Sequence, residues 1–304
     1  MTRALVLLLA LLLGASSASA APARGQFVEL PRLVSKNLPE PAHVTIWLPP
    51  GYAKGRARYP VIYMHDGQNL FFPNLSGYNK VWAADKAMLK LIGNGETKGA
   101  IIVGVWHQKA RAAQYFPQDI YAALPANLRA EADRFAGRPV YSDGYLRFLV
   151  SELKPLIDRR YRTLKDAPNT MVAGSSMGGL ISLAAIARYP NVFGAAACVS
   201  THWPLVAPDR IGAETPGLGD VWDKFLADKL GAPNGRRIWF DHGDQTLDQY
   251  YGPWQSRADA RLIAIGWRPG DDFETKVYPG AAHEENSWAD RLPDIFAWLL
   301  KAPA

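Results

Sequence analysis

A mostly parallel sheet with helices on both faces, the α/β class, is the architecture this 304-residue sequence predicts. Three observations carry it. Short, almost continuously apolar runs recur along the chain, stripes of helical period lie between them, and "NTMVAGSSMGGLISLAAIARYP" (169–190) reads as strand, glycine-rich corner and helix in direct succession.

The apolar runs are "VIYM" (61–64), "AIIVGV" (100–105), "TMVAG" (170–174), "AAACVS" (195–200) and "RIWFD" (237–241), with "ETKVYP" (274–279) closing the series. Runs of this kind are expected of parallel strands covered on both faces. "HVTIWLP" (43–49) instead alternates Val44, Ile46 and Leu48 with polar or large residues, which predicts a half-covered strand near a sheet edge. Leu146, Leu149, Val150, Leu153 and Ile157 form an apolar stripe at helical spacing, and 180–187 and 288–300 behave alike. Strands alternating with helices imply right-handed crossovers. The longer stretches 106–141 and 202–220 read as irregular, and loops of that length are expected to wall a pocket.

The first twenty residues stand apart. Arg3 precedes an apolar run from Ala4 to Leu13, and small residues end at Ala18-Ser19-Ala20, the pattern of a secretory leader cut after Ala20. About ten apolar residues fall short of the roughly twenty needed to span a bilayer. The expected organisation is therefore a leader over 1–20 and one domain over 21–304, secreted or periplasmic, without stable membrane insertion after cleavage. Cys198 is the single cysteine, so no intramolecular disulfide can form, and its apolar surroundings predict a buried, inert thiol. The net charge of +6 is spread through clusters such as Arg159-Arg160-Tyr161-Arg162 that alternate with acids, so no nucleic-acid partner is expected.

The corner fits Gly-x-Ser-x-Gly in one register only, Gly174-Ser175-Ser176-Met177-Gly178, because a register on Ser175 would need glycines at Ala173 and Met177. On a strand-turn-helix this is a nucleophile elbow. Ser176 is the candidate nucleophile. Glycines two residues either side are expected to relieve collisions between strand and helix, and the Met177 amide at the helix start is aimed where an oxyanion would form. A phosphate loop would end in Gly-Lys-Ser/Thr, whereas this one continues Gly179-Leu180.

The triad order for such an elbow is serine, acid, histidine. His43, His65 and His107 precede Ser176, and His202 and His242 precede or overlap the segment that should supply the acid, which leaves His283. Asp244 and Asp248 both follow the strand 237–241. Asp248 has more room to reach back to His283 and is preferred, and Asp241 is expected to be structural. A metal site on His242, Asp244 and His283 is conceivable but lacks a supporting motif, so no metal or cofactor is expected. The second oxyanion donor is expected after 61–64, at the Gln68 amide of "HDGQNLFF".

Several segments taken together resemble the Putative esterase (esterase D-like) family of the α/β-hydrolase superfamily, whose relatives include enterochelin (siderophore) esterases and feruloyl esterases. They are "LPPGY" (48–52), "HDGQNLF" (65–71), "VGVW" (103–106), "ELKPLID" (152–158), "AGSSMGGL" (173–180), "FDHGDQTLD" (240–248) and "PGAAHEENSW" (279–288). The resemblance implies an α/β-hydrolase fold, Ser176 as nucleophile, His283 as base, and Gln68 and Met177 as oxyanion amides. Many relatives carry the acid at the position of Thr246, while counting back from the Gln-x-Arg at Gln255 selects Asp248. The expected activity is a serine carboxylic-ester hydrolase, its partner a small-molecule or carbohydrate-linked ester. An acyltransferase on the same triad, or a non-catalytic binding protein on this fold, are the other classes. Trp106, His107, Arg111, Tyr115, His202 and Trp203 are expected to line a pocket for a ring-bearing or sugar-linked group.

Overall fold

The computed structural model describes residues 24–136, 139–211 and 215–301. The leader expected over 1–20 lies outside them. Eight strands form one sheet: β1 (Gln26–Leu33), β2 (Ala42–Leu48), β3 (Val61–His65), β4 (Ile101–Val105), β5 (Thr170–Ser175), β6 (Ala195–Val199), β7 (Arg237–His242) and β8 (Phe273–Val277). Their order is β1-β2-β4-β3-β5-β6-β7-β8. The β1–β2 and β2–β4 pairs are antiparallel and the rest are parallel. From β3 the chain crosses to β4 on one side and then back to β5 on the other. The carboxyl ends of β3 and β5 therefore flank a topological switch point, where open α/β sheets present their crevice.

Both faces of the sheet are covered because successive side chains point to opposite sides. Val61, Tyr63, Val103 and Val172 join one core with the helices Met177–Arg188 and Leu218–Phe225. Ile62, Met64, Ile102 and Met171 join the other, against the helices Ala84–Gly93 and Glu285–Leu299. The stripe at 146–157 lies on a continuous helical run, Ser142–Arg160, whose middle turn, Leu149–Leu153, is π-helical. Cys198 is fully buried, and burial pushes its thiol well above the ordinary value.

Three expectations are corrected. Strand β1 is absent from the sequence reading, because as an edge strand it keeps most of its residues exposed and shows no apolar run. Strand β2 lies one place in from that edge and is buried on both faces, not half covered. Its polar Thr45 is 1 % exposed because it donates to Glu29 of β1 and accepts from the Trp106 indole. The stretch 106–141 is not irregular: it holds the helices Arg111–Tyr115, Gln118–Ala123 and Ala126–Ala136.

Candidate active site

The elbow sits at the end of β5. Ser176 has φ 58° and ψ −119°, a region in which a non-glycine residue is strained. Its neighbours over-determine this conformation. The Ser176 amide donates to Val199 at the end of β6, and the Ser176 carbonyl accepts from Gly179, Leu180 and His202. A Cβ on Gly174 would lie 2.9 Å from the Gly178 backbone and from the His65 ring, so glycine is required there. Gly178 itself meets only ordinary contacts at 3.5 Å. The tight position on the helix side is Gly179, 3.0 Å from Thr201, one residue beyond the motif glycine.

The loop after β3 closes on the same point. Asp66 has φ 56°, and a Cβ on Gly67 would stand 2.5 Å from the Gly104 carbonyl carbon. The Arg111 guanidinium grips Asp66 with two hydrogen bonds of 2.7 Å and reaches the Ser175 carbonyl at 3.4 Å. Asp66 lies one residue before Gly67-Gln68 and Ser175 one before Ser176-Met177, so Arg111 joins the two turns that carry the expected oxyanion donors. Neither the Gln68 nor the Met177 amide bonds a backbone carbonyl among the described residues. Burial pushes the Asp66 carboxyl up, but Arg111 outweighs it and holds it below the ordinary value.

His283 lies in the loop after β8, which is stitched to the loop after β7. Asp244 and Gln245 donate their amides to the Ala281 carbonyl, and the Gly280 amide donates to the Asp244 carboxylate. A Cβ on Gly243 would stand 2.0 Å from the Ala281 oxygen, so the loops touch directly. The His283 amide donates to the Thr246 hydroxyl, and His283 Nδ1 lies 2.6 Å from Asp248 Oδ1. Of the two candidate acids it is Asp248 that meets the imidazole, while Asp244 is exposed and holds the turn. Asp248 Oδ2 accepts from the Ser200 hydroxyl and the Gly243 amide, both at 2.6 Å. Burial raises the Asp248 carboxyl, but His283, Ser200 and Gly243 together bring it below the ordinary value.

Ser176 and His283 line one cleft of about 380 Å³, with Asp66, Lys80, Arg111 and Glu285 among the other walls. Lys80 pairs with Glu284 across the mouth, tying the loop after β3 to the His283 loop. Glu285 accepts from Asn69, and burial pushes its carboxyl up. The Tyr251 phenol is buried; burial pushes it well above the ordinary value, and Ser176 offsets part of that rise. Tyr251 in turn bonds His202 Nδ1 at 2.8 Å, and His202 Nε2 lies 2.7 Å from the Val206 carbonyl. A carbonyl only accepts, so Nε2 carries the proton and Tyr251 donates to Nδ1.

Of the six residues expected to line a pocket, only His107 and Arg111 do so. Tyr115, His202 and Trp203 are buried in the interior, where each polar tip is occupied. Trp106 stacks on His43 at 3.9 Å instead. From 202–220, expected as a second wall, no described residue reaches the cleft. Sequence reasoning missed Lys80, Glu285, Tyr251 and Ser200. The one available signal was the run "HEENSW", whose acids follow His283 directly.

The Putative esterase family model matches residues 35–299. The chain belongs to that family. A Bacillus subtilis (strain 168) relative, described as uncharacterized protein YbbA, is 26 % identical over 258 residues, 84 % of this chain and 91 % of its own. Among solved structures, an IroE-like serine hydrolase from Shewanella oneidensis superposes with TM-score 0.63 at 20 % identity, over 90 % of this chain and 80 % of that one. The feruloyl esterase module from Clostridium thermocellum, a serine-to-alanine mutant complexed with sinapinate, gives 0.62 at 16 % identity, over 93 % and 90 %. The eight-stranded sheet of this esterase-family chain is that of the α/β-hydrolase fold. No helix among the described residues is long and apolar enough to cross a membrane.

Proposed function

We propose that this esterase is a serine carboxylic-ester hydrolase working through an acyl-enzyme on Ser176. The observation that carries the reading is the 2.6 Å contact of Asp248 with His283 Nδ1, which leaves Nε2 as the basic nitrogen in the cleft that Ser176 shares. Nε2 takes the Ser176 proton as Oγ attacks the ester carbonyl, and the protonated imidazole then delivers that proton to the departing alcohol. Water attacks the acyl-enzyme with His283 again as base, releasing the carboxylic acid and restoring Ser176. The Gln68 and Met177 amides receive the oxyanion.

Fixed charged pairs such as Asp66–Arg111 and Lys80–Glu284 share the cleft walls with Tyr78, Trp82, Leu247 and Trp288, which favours a compact polar substrate, a small or sugar-linked ester, over a long acyl chain. The feruloyl esterase module named above, with sinapinate bound, supports a ring-bearing acid as one such group. The leader pattern supports export. The test is a panel of p-nitrophenyl acetate, methyl ferulate and acetylated or feruloylated sugars, run with a fluorophosphonate probe and with Ser176→Ala as blank. Turnover and labelling confined to the wild type are expected. Intact turnover in Ser176→Ala sinks the mechanism, and an unlabelled, inactive wild type favours the non-catalytic class.

A further inference from the structure

Behind the Asp248 carboxylate lies a buried group that the hydrolytic scheme does not use. Ser200, the first residue after β6, is fully buried at φ 42°, a backbone conformation that favours glycine. Its hydroxyl has three partners: Asp248 Oδ2 at 2.6 Å, Arg291 Nη2 at 2.7 Å and Trp288 Nε1 at 3.0 Å. The guanidinium and the indole can only donate, and the carboxylate only accepts. The direction of every bond is therefore forced. Ser200 accepts from Arg291 and Trp288 and gives its one proton to Asp248. The same Arg291 Nη2 lies 2.8 Å from Asp241 Oδ1 as an ion pair, while its hydrogen bond goes to Ser200. Direct contact of the guanidinium with Asp248 is longer, 3.9 Å.

We propose that Ser200 is a positioning residue that links the Arg291 guanidinium to the Asp248 carboxylate, fixing how that carboxylate faces His283 and how much of its charge His283 receives. The proposal rests on the Ser176–His283–Asp248 reading. Hydrogen bonds in series polarise one another at low dielectric, so a hydroxyl loaded by a cation is a stronger donor than a free one. Drawing charge toward Oδ2 weakens the hold of Oδ1 on the imidazolium proton. Other titratable groups near the pair are Asp241 on β7, Glu285 and Arg291 on the Glu285–Leu299 helix, and the buried His202 and Tyr251, the latter against the His283 ring. All of them stay in place when only the Ser200 hydroxyl is removed.

The test compares Ser200→Gly with Ser200→Ala. Both remove the hydroxyl, but glycine relieves the φ of 42° and keeps the fold accessible. In both, kcat/KM for p-nitrophenyl acetate is expected to fall about 10- to 100-fold, the weight of one hydrogen bond to a charged group. The loss should lie mainly in kcat. The proton shared by His283 and Asp248 should be held to higher pH, by roughly half a unit to one unit, in the pH profile and in an NMR titration of the His283 ring. The NMR titration reads the relay whether or not the enzyme turns over. Unchanged titration in both variants overturns the proposal, as does a normal Ser200→Gly beside an impaired Ser200→Ala, which would assign the effect to backbone strain. Failure of the hydrolase reading looks different: no ester is cleaved by the wild type, while the titration still moves.

Discussion

His283 and Asp248 are 35 residues apart in sequence, yet Nδ1 and Oδ1 meet at 2.6 Å because the loops after β7 and β8 are sewn together by main-chain bonds. The contact favours the imidazole tautomer with the proton on Nδ1, the one that the proposed mechanism requires. Asp248→Asn keeps the shape and reverses that preference, since an amide can offer Nδ1 a proton instead of receiving one. A fall of about 10⁴-fold in kcat is expected. Asp244→Asn, whose side chain touches only Gln245 and the Gly280 turn, should stay within about tenfold of the wild type. Steady-state kinetics on the two variants decide the matter, and the reverse ranking would transfer the acid role to Asp244.

The two serines of the corner should separate as sharply. Ser176→Ala is expected to lower turnover by roughly 10⁴-fold or more with little change in melting temperature. Ser175→Ala, whose side chain is buried at the end of β5, should keep activity within a few fold. Loss of activity in Ser175→Ala with retention in Ser176→Ala would refute the register.

Arg111 holds a carboxylate whose side chain is 8 % exposed, so removing the cation leaves a buried, uncompensated charge. Arg111→Met should cost about 3–5 kcal/mol in urea unfolding. Because the Asp66 turn leads into Gln68, kcat should also fall, toward the roughly 100- to 1,000-fold loss of one oxyanion donor. An Asp66→Asn/Arg111→Met pair should recover part of the stability and little of the turnover. Full recovery of turnover would show that Arg111 does not hold the oxyanion loop.

Stability should fall on mild acidification. Burial lowers His65 to about 3 and His202 to about 4, so between pH 6.5 and 4 the unfolded chain binds these protons and the folded chain does not. Each contributes up to about 1.4 kcal/mol of lost stability per pH unit in that window. Asp241 and Glu285, raised chiefly by burial, gain protons on folding and oppose the fall, which keeps the net slope below two protons. Urea midpoints at pH 7, 6 and 5 should decrease in order. A flat or rising series would contradict buried neutral histidines.

What could be read directly from the chain is what depends on neighbours in sequence. The apolar runs of β3 to β7 mark strands covered on both faces, and the register on Ser176 follows from five consecutive residues whose sterics are local. The same logic missed β1, because an edge strand that turns Val28 and Leu30 inward on alternate positions leaves no apolar run, and misjudged β2, because a buried Thr45 with two partners looks like a solvent-facing residue. It also placed Tyr115, His202 and Trp203 in the cleft: an aromatic near a strand end has the same letter whether it packs inward or faces substrate.

Tertiary structure decided the rest. Arg111 meets Asp66 and Ser175 only because β4, β3 and β5 lie side by side, and Ser200 meets Arg291 and Asp248 only because the last helix packs behind the ends of β6 and β7. Hydrogen bonds to buried charges depend on distance and direction in space, which spacing along the chain does not encode. The sequence thus determined which serine stands at the corner; the fold determined which carboxylate faces the histidine and which groups hold it there.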